Sequence, residues 1–177
     1  PVALKGKDVL GQSKTGTGKT AAFGLPLLQM IDPDGGPQAL VLGPTREIAA
    51  QIGAELAELA NHTDLHCACV IGGESMQQQM RAMQRGAQII VGTPGRVLDL
   101  YGRGELPMNK MKFAVLDEVD RMLDIGFRDD IKKILKAAPN ERQTIFVSAT
   151  ISDDIERLSS QYMKKDRQRI TTTTGSL

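Results

Sequence analysis

The chain is 177 residues long, 41% apolar and 24% charged, with a formal net charge of +1. That length suits one domain with a sizeable core, and the composition is that of an ordinary globular chain. No apolar run reaches the roughly 18 to 20 residues that span a bilayer, the first ten residues lack the apolar stretch of a signal peptide, and the near-neutral charge leaves any polyanion to a local patch.

In chain order, a short strand is expected at residues 8–11, and GQSKTGTGKT follows at 11–20 ahead of the helical AAFGLPLLQM. A Gly-rich loop between strand and helix lets backbone N–H groups close around phosphate oxygens. Gly16 and Gly18 supply backbone freedom, Lys19 an ammonium for the β- and γ-phosphates, and Thr20 a hydroxyl for Mg2+. Ser13, Lys14, Thr15, Gly16, Thr17, Gly18, Lys19 and Thr20 form the candidate nucleotide-binding set. The strict pattern G-x-x-x-x-G-K-[ST] asks for Gly where this chain has Ser13. A phosphate loop alone names no reaction, since kinases, transporters and motors share it.

DPDGG at 32–36 has the turn chemistry of a surface loop. A second strand is expected at 39–43 (ALVLG), and PTREIA after it is a good helix start with Thr45 as N-cap. Ile48, Ile52, Leu56 and Leu59 carry that helix at helical spacing. Cys67 and Cys69 share one face of a strand at 66–71 and are expected to be buried thiols, in a reducing cytoplasm. His62 and His66 lack the partners of a zinc site. Met76, Met80 and Met83 make a helical stripe for core packing. A strand at 88–92 (QIIVG) leads into TPGR, a turn before a helix. Further strands are expected at 112–117 (KFAVLD), 144–148 (TIFVS) and 169–173, with helices carried by Ile131, Ile134 and Leu135 and by Ile155, Leu158 and Tyr162.

Most strand candidates are continuous apolar runs, as in strands buried on both faces. Their alternation with helices predicts an α/β fold: an open, mostly parallel sheet with helices on both faces and right-handed crossovers. Ligands then bind beyond the carboxyl ends of the strands. The domain is expected to cover residues 1–170, with 171–177 a linker or frayed end.

One such strand ends in VLDEVD, residues 115–120. Asp117 fits a magnesium-holding carboxylate, largely through water, and Glu118 fits a general base for the attacking water. Asp120 lies beyond both and is placed to link to another element. The next apolar run ends in SAT at 148–150.

TGTGKT (15–20), PTREIA (44–49), Gly72-Gly73, TPGR (93–96), DEVD (117–120) and SAT (148–150) come in an order that resembles the N-terminal RecA-like domain of DEAD-box RNA helicases, over nearly the whole chain. The resemblance implies a RecA-like P-loop fold, ATP and Mg2+ as cofactors, and RNA-stimulated ATP hydrolysis coupled to local duplex unwinding. It implies that Lys19, Asp117, Glu118, Asp120, Ser148 and Thr150 form the catalytic set, with Ser148 and Thr150 coupling the ATP site to RNA through Asp120. It places Pro44, Thr45, Arg46, Gly73, Thr93, Gly95 and Arg96 along an RNA track. With no Trp, two Tyr and four Phe, stacking platforms are scarce, so a sequence-independent grip on the sugar-phosphate backbone is expected.

Members of that family carry an upstream Q motif that recognises adenine and a second RecA-like domain with arginine fingers; neither is found in these 177 residues. The chain is therefore read as a monomeric fragment that binds nucleotide with little ATPase or unwinding activity. A DNA-directed helicase, an ATP-gated RNA clamp and a metabolite kinase are the competing readings. Val119 stands where the family has Ala, adding two methyl groups between the acid pair and Asp120; overpacking there would cost about 1–3 kcal/mol unless a neighbour is smaller.

Overall fold

In the computed structural model, which describes residues 1–14 and 18–172, seven strands form one sheet. They are β1 (Val9–Gln12), β2 (Ala39–Leu42), β3 (Cys67–Val70), β4 (Ile89–Gly92), β5 (Phe113–Leu116), β6 (Gln143–Ser148) and β7 (Gln168–Thr171). Their spatial order is β3-β4-β2-β5-β6-β1-β7, and every pair is parallel. Between the strands run α1 (Lys19–Met30), α2 (Arg46–Leu59), α3 (Met76–Gln84), α4 (Pro94–Gly102), α5 (Val119–Ile125), α6 (Arg128–Ala137) and α7 (Asp153–Tyr162).

Period-two alternation divides β1 to β6 between two cores. Leu40, Leu42, Ala114, Leu116 and Phe146 face one side, where residues of α3 to α7 pack on them. Ala39, Val41, Phe113, Val115, Ile145 and Val147 face the other, against α1 and α2. The continuous apolar runs are thus the central strands, closed on both faces. The α3 stripe lies on the first core, with Met83 buried and Met76 and Met80 packed against it. Cys67 and Cys69 do share a face, but as half-buried thiols rather than buried ones. β3 is an edge strand, so the cover over that face is incomplete. Burial pushes Cys67 up to about 11, with Cys69 adding to it, and raises Cys69 as well.

Local chemistry sets where helices begin. Thr45, Ser75 and Ser152 cap α2, α3 and α7 by accepting from Ile48 N, Gln78 N and Ile155 N. Pro94 opens α4 at a position where its missing N–H costs nothing. The last strand begins at Gln168, one residue before the sequence expectation, and is exposed along its length as the other sheet edge. Thr172 still donates to Gln12 O from both its N–H and its hydroxyl, and residues 173–177 lie outside the described residues. No helix among the described residues is long and apolar enough to cross a membrane.

Candidate functional site

Among the described residues, every motif singled out in the sequence falls at the carboxyl end of a strand or the helix start after it. The sheet order separates them into two neighbouring groups. The ends of β1, β6 and β5 carry the phosphate-loop flanks, SAT and DEVD, and the ends of β2, β4 and β3 carry PTREIA, TPGR and Gly72-Gly73.

In the first group, Lys19 begins α1 after Gly18, whose φ of 66° is a left-handed conformation that glycine adopts without strain. Lys19 Nζ donates to Asp117 Oδ1 at 3.0 Å, and the two side chains are only 14% and 4% exposed. Thr20 is buried in the first turn of α1. Thr15, Gly16 and Thr17 of the candidate set lie outside the described residues, while Ser13 and Lys14 precede them after β1.

Asp117 Oδ1 also accepts the backbone N–H of Glu118 at 2.9 Å. Glu118 has φ 53° and ψ 52°, and among the described residues it is the only non-glycine with positive φ. A left-handed L-residue costs roughly 1–2 kcal/mol. Asp117 is buried while Glu118 is half-buried, so the two adjacent carboxylates meet different surroundings. Glu118 is half-buried, and burial raises its carboxyl above the usual range; Lys19 opposes that shift, Asp117 adds to it, Arg121 opposes it and Asp120 adds.

Asp120 and SAT are joined directly. Asp120 N donates to Ser148 Oγ at 3.2 Å, and Asp120 Oδ2 accepts from Thr150 N at 3.3 Å and Thr150 Oγ1 at 3.0 Å. Ser148 is fully buried, and its carbonyl accepts from Ser13 N at 3.0 Å. Gln12, to which the sequence reading gave no role, donates from Nε2 to Ala149 O at 3.2 Å. The end of β6 therefore bridges the start of the phosphate loop and the start of α5.

In the second group, Pro44, Thr45, Arg46, Gly73, Thr93, Gly95 and Arg96 all line one open cleft of about 640 Å³. Arg46 Nη1 donates to Gly72 O at 3.4 Å. Gly73 has φ 79°, and a Cβ there would lie 2.1 Å from Arg46 Nη1. Thr93 opens α4 without using its hydroxyl as a cap. Glu47, Gly72, Asp99 and Phe127 complete the wall.

A family model of DEAD/DEAH box helicases matches residues 1–158. The chain belongs to that family. Its relatives include the RNA helicase CrhR of Synechocystis, 48% identical over 92% of this chain, and the ATP-dependent RNA helicase CshA of Listeria monocytogenes, 47% identical over 92%. The matches cover 33% and 32% of those proteins, so the chain spans about a third of their length. Among solved structures, a DEAD box protein from Methanococcus jannaschii superposes with a TM-score of 0.93 at 37% identity, covering 98% of this chain and 47% of that one. A hypothetical ATP-dependent RNA helicase from Sulfolobus tokodaii gives 0.88 at 36% identity, covering 97% of this chain and 50% of that one. The fold is thus the RecA-like domain of DEAD-box proteins.

Within this DEAD-box domain, one buried polar side chain beside the cleft escaped the sequence reading. Gln79, 4% exposed, sits on α3 behind the cleft wall. The signal was present, because 76, 79, 80 and 83 share one helical face and only 79 is polar. Asp99 and Phe127 gave no comparable signal, since an acid and an aromatic at helix positions are read first as solvated face and core.

Proposed function

We propose that the chain is the ATP-binding half of a DEAD-box RNA helicase, with ATP and Mg2+ held at the β1–β6–β5 end and the RNA backbone in the neighbouring cleft. The observation that carries this reading is the buried pairing of Lys19 with Asp117 at a parallel-sheet switch region, next to the left-handed turn at Glu118. The donor set fits a magnesium nucleotide. Among the described residues no cluster of three acidic, His or Cys side chains could hold a metal by itself. Mg2+ suits such a site, because it keeps waters and binds one or two carboxylates together with phosphate oxygens. Asp117 and Thr20 would hold it, and it would supply charge neutralisation for the transferred phosphoryl group.

This chain's own residues then divide the work. Lys19 exchanges the Asp117 carboxylate for phosphate oxygens, so its buried charge stays compensated. Glu118 accepts a proton from the attacking water. Asp120, Ser148 and Thr150 tie the acid strand end to the end of β6 and so to the flank of the phosphate loop, giving a short path by which nucleotide contacts shift α5. Arg46, Arg96 and the N-termini of α2 and α4 supply the cationic and N–H groups of a backbone grip. In a protein where this chain is joined to a second RecA-like domain, closure of the two would complete the site. The chain by itself binds nucleotide weakly, as a monomer, and turns it over poorly.

Calorimetric titration of the purified chain with ADP and ATP in Mg2+ tests this. Saturable binding lost in Lys19→Ala, with no RNA-stimulated phosphate release, is the expected result. RNA-stimulated turnover by the chain alone at several per second would contradict the division of labour, and binding unaffected by Lys19→Ala would contradict the ATP site.

A further inference from the structure

Gln79 sits in an otherwise apolar stripe of α3, where an unpaired amide would be costly. Both ends of the amide are used. Nε2 donates to Ile71 O at 2.8 Å, and Oε1 accepts from Arg96 Nη1 at 3.1 Å. Ile71 immediately precedes Gly72 and Gly73, which line the cleft, and Arg96 lines it from the first turn of α4. One side chain that is not part of the cleft wall thus joins two segments that are. From the other side, Arg46 holds the same loop through Gly72 O.

The residue type is informative. A guanidinium carries five N–H groups in a rigid fork, and a neutral acceptor can fix one of them while the charge and the remaining donors stay available. A carboxylate in place of the amide would neutralise Arg96 and would set a negative oxygen against the Ile71 carbonyl. An apolar residue would suit the stripe and leave Arg96 to sample its rotamers, whose loss on binding weakens affinity. The amide alone does both jobs, orienting the cation and fixing the loop.

We propose that Gln79 is the positioning residue of this cleft: it holds the Arg96 guanidinium and the Gly72-Gly73 loop as one preset unit for a phosphodiester backbone. The inference rests on the reading of the cleft as an RNA path, and it adds a residue on α3 that acts only through Arg96 and the loop.

The test is binding of a fluorescein-labelled oligouridylate, with ATP and Mg2+ present, to a protein carrying this chain with its second RecA-like domain, followed by anisotropy over a salt series, with Q79M, R96M and the double variant. Thermal melts report whether each variant folds; Q79M matches the neighbouring Met side chains and the volume of Gln. R96M should weaken binding about tenfold or more and lower the log–log salt slope by about 0.7. Q79M should weaken it about threefold to tenfold with the slope unchanged, since the charge remains. In the R96M background Q79M should add less than about twofold, because its effect runs through Arg96. Q79E, which keeps the polar side chain should Q79M not fold, should lower the slope as R96M does although Arg96 is still present. Losses from Q79M and R96M that simply multiply, or a Q79M chain that binds like the parent while R96M is weakened, would overturn the assignment of Gln79 with the RNA path intact. R96M that leaves affinity and slope unchanged would overturn the RNA path itself, and the role of Gln79 with it.

Discussion

Glu118 concentrates the residue-scale chemistry. Its left-handed backbone is held by its own N–H bonded to Asp117 Oδ1, and its carboxyl is raised chiefly by burial. Strain at such a position is kept where function needs the geometry. Glu118→Gly should therefore be neutral to about 1 kcal/mol stabilising in urea denaturation, while removing the base. The raised carboxyl also fixes a pH dependence. Between the ordinary Glu value and the raised one, the folded chain holds more protons than the unfolded chain. Stability then falls as pH rises through that window, and Glu118→Gln should flatten this part of a stability–pH profile. Gly73 is a position where any side chain would be strained. Gly73→Ala combines φ 79° with a Cβ 2.1 Å from Arg46 Nη1, so it should cost about 1–2 kcal/mol and weaken RNA binding by displacing Arg46. The residue types were legible in the sequence but their geometry was not: DEVD shows three acids but not the reversal of backbone at the second, and Gln79 stands out as the polar member of an apolar helical face without showing its two partners.

At the scale of elements, the central strands were legible because burial on both faces leaves continuous apolar runs, as in ALVL of β2 and FAVL of β5. Edge strands carry a weaker signal. QRIT of β7 is exposed throughout, so its start could not be read from hydrophobicity. α5 is fully buried at Val119 and Met122 but spans only seven residues, too few for a periodic pattern to stand out. Val119 lies in the same core as Leu116, Met122 and Phe146. Its complete burial predicts that Val119→Ala loses about 1–2 kcal/mol by calorimetry; a gain in stability would instead reveal overpacking. Asp8, just before β1, fastens β6 and the loop after α7, accepting from Thr144 N and from Lys164 N at 2.8 Å each while 1% exposed. Asp8→Ala strands both donors and should cost about 3 kcal/mol, lowering Tm by roughly 10 °C.

On the whole-molecule scale, the strand order is what turns separate motifs into one machine. β1 and β2 are consecutive in the chain yet lie apart in the sheet, with β6 and β5 between them. The insertion brings DEVD and SAT beside the phosphate loop and leaves β2, β4 and β3 to build the adjoining cleft. Sequence order alone does not state this arrangement; it became readable only through the resemblance of the six motifs to a known family. In the function proposed here, Glu118 is the base of an RNA-stimulated ATPase whose grip on RNA needs ATP but not its hydrolysis. The most direct measurement is ATP turnover and ATP-dependent RNA binding, side by side, for Glu118→Gln in a protein carrying this chain with its second RecA-like domain. Turnover should fall by at least about a hundredfold with ATP-dependent RNA binding retained; turnover that survives the substitution would mean that Glu118 is not the base.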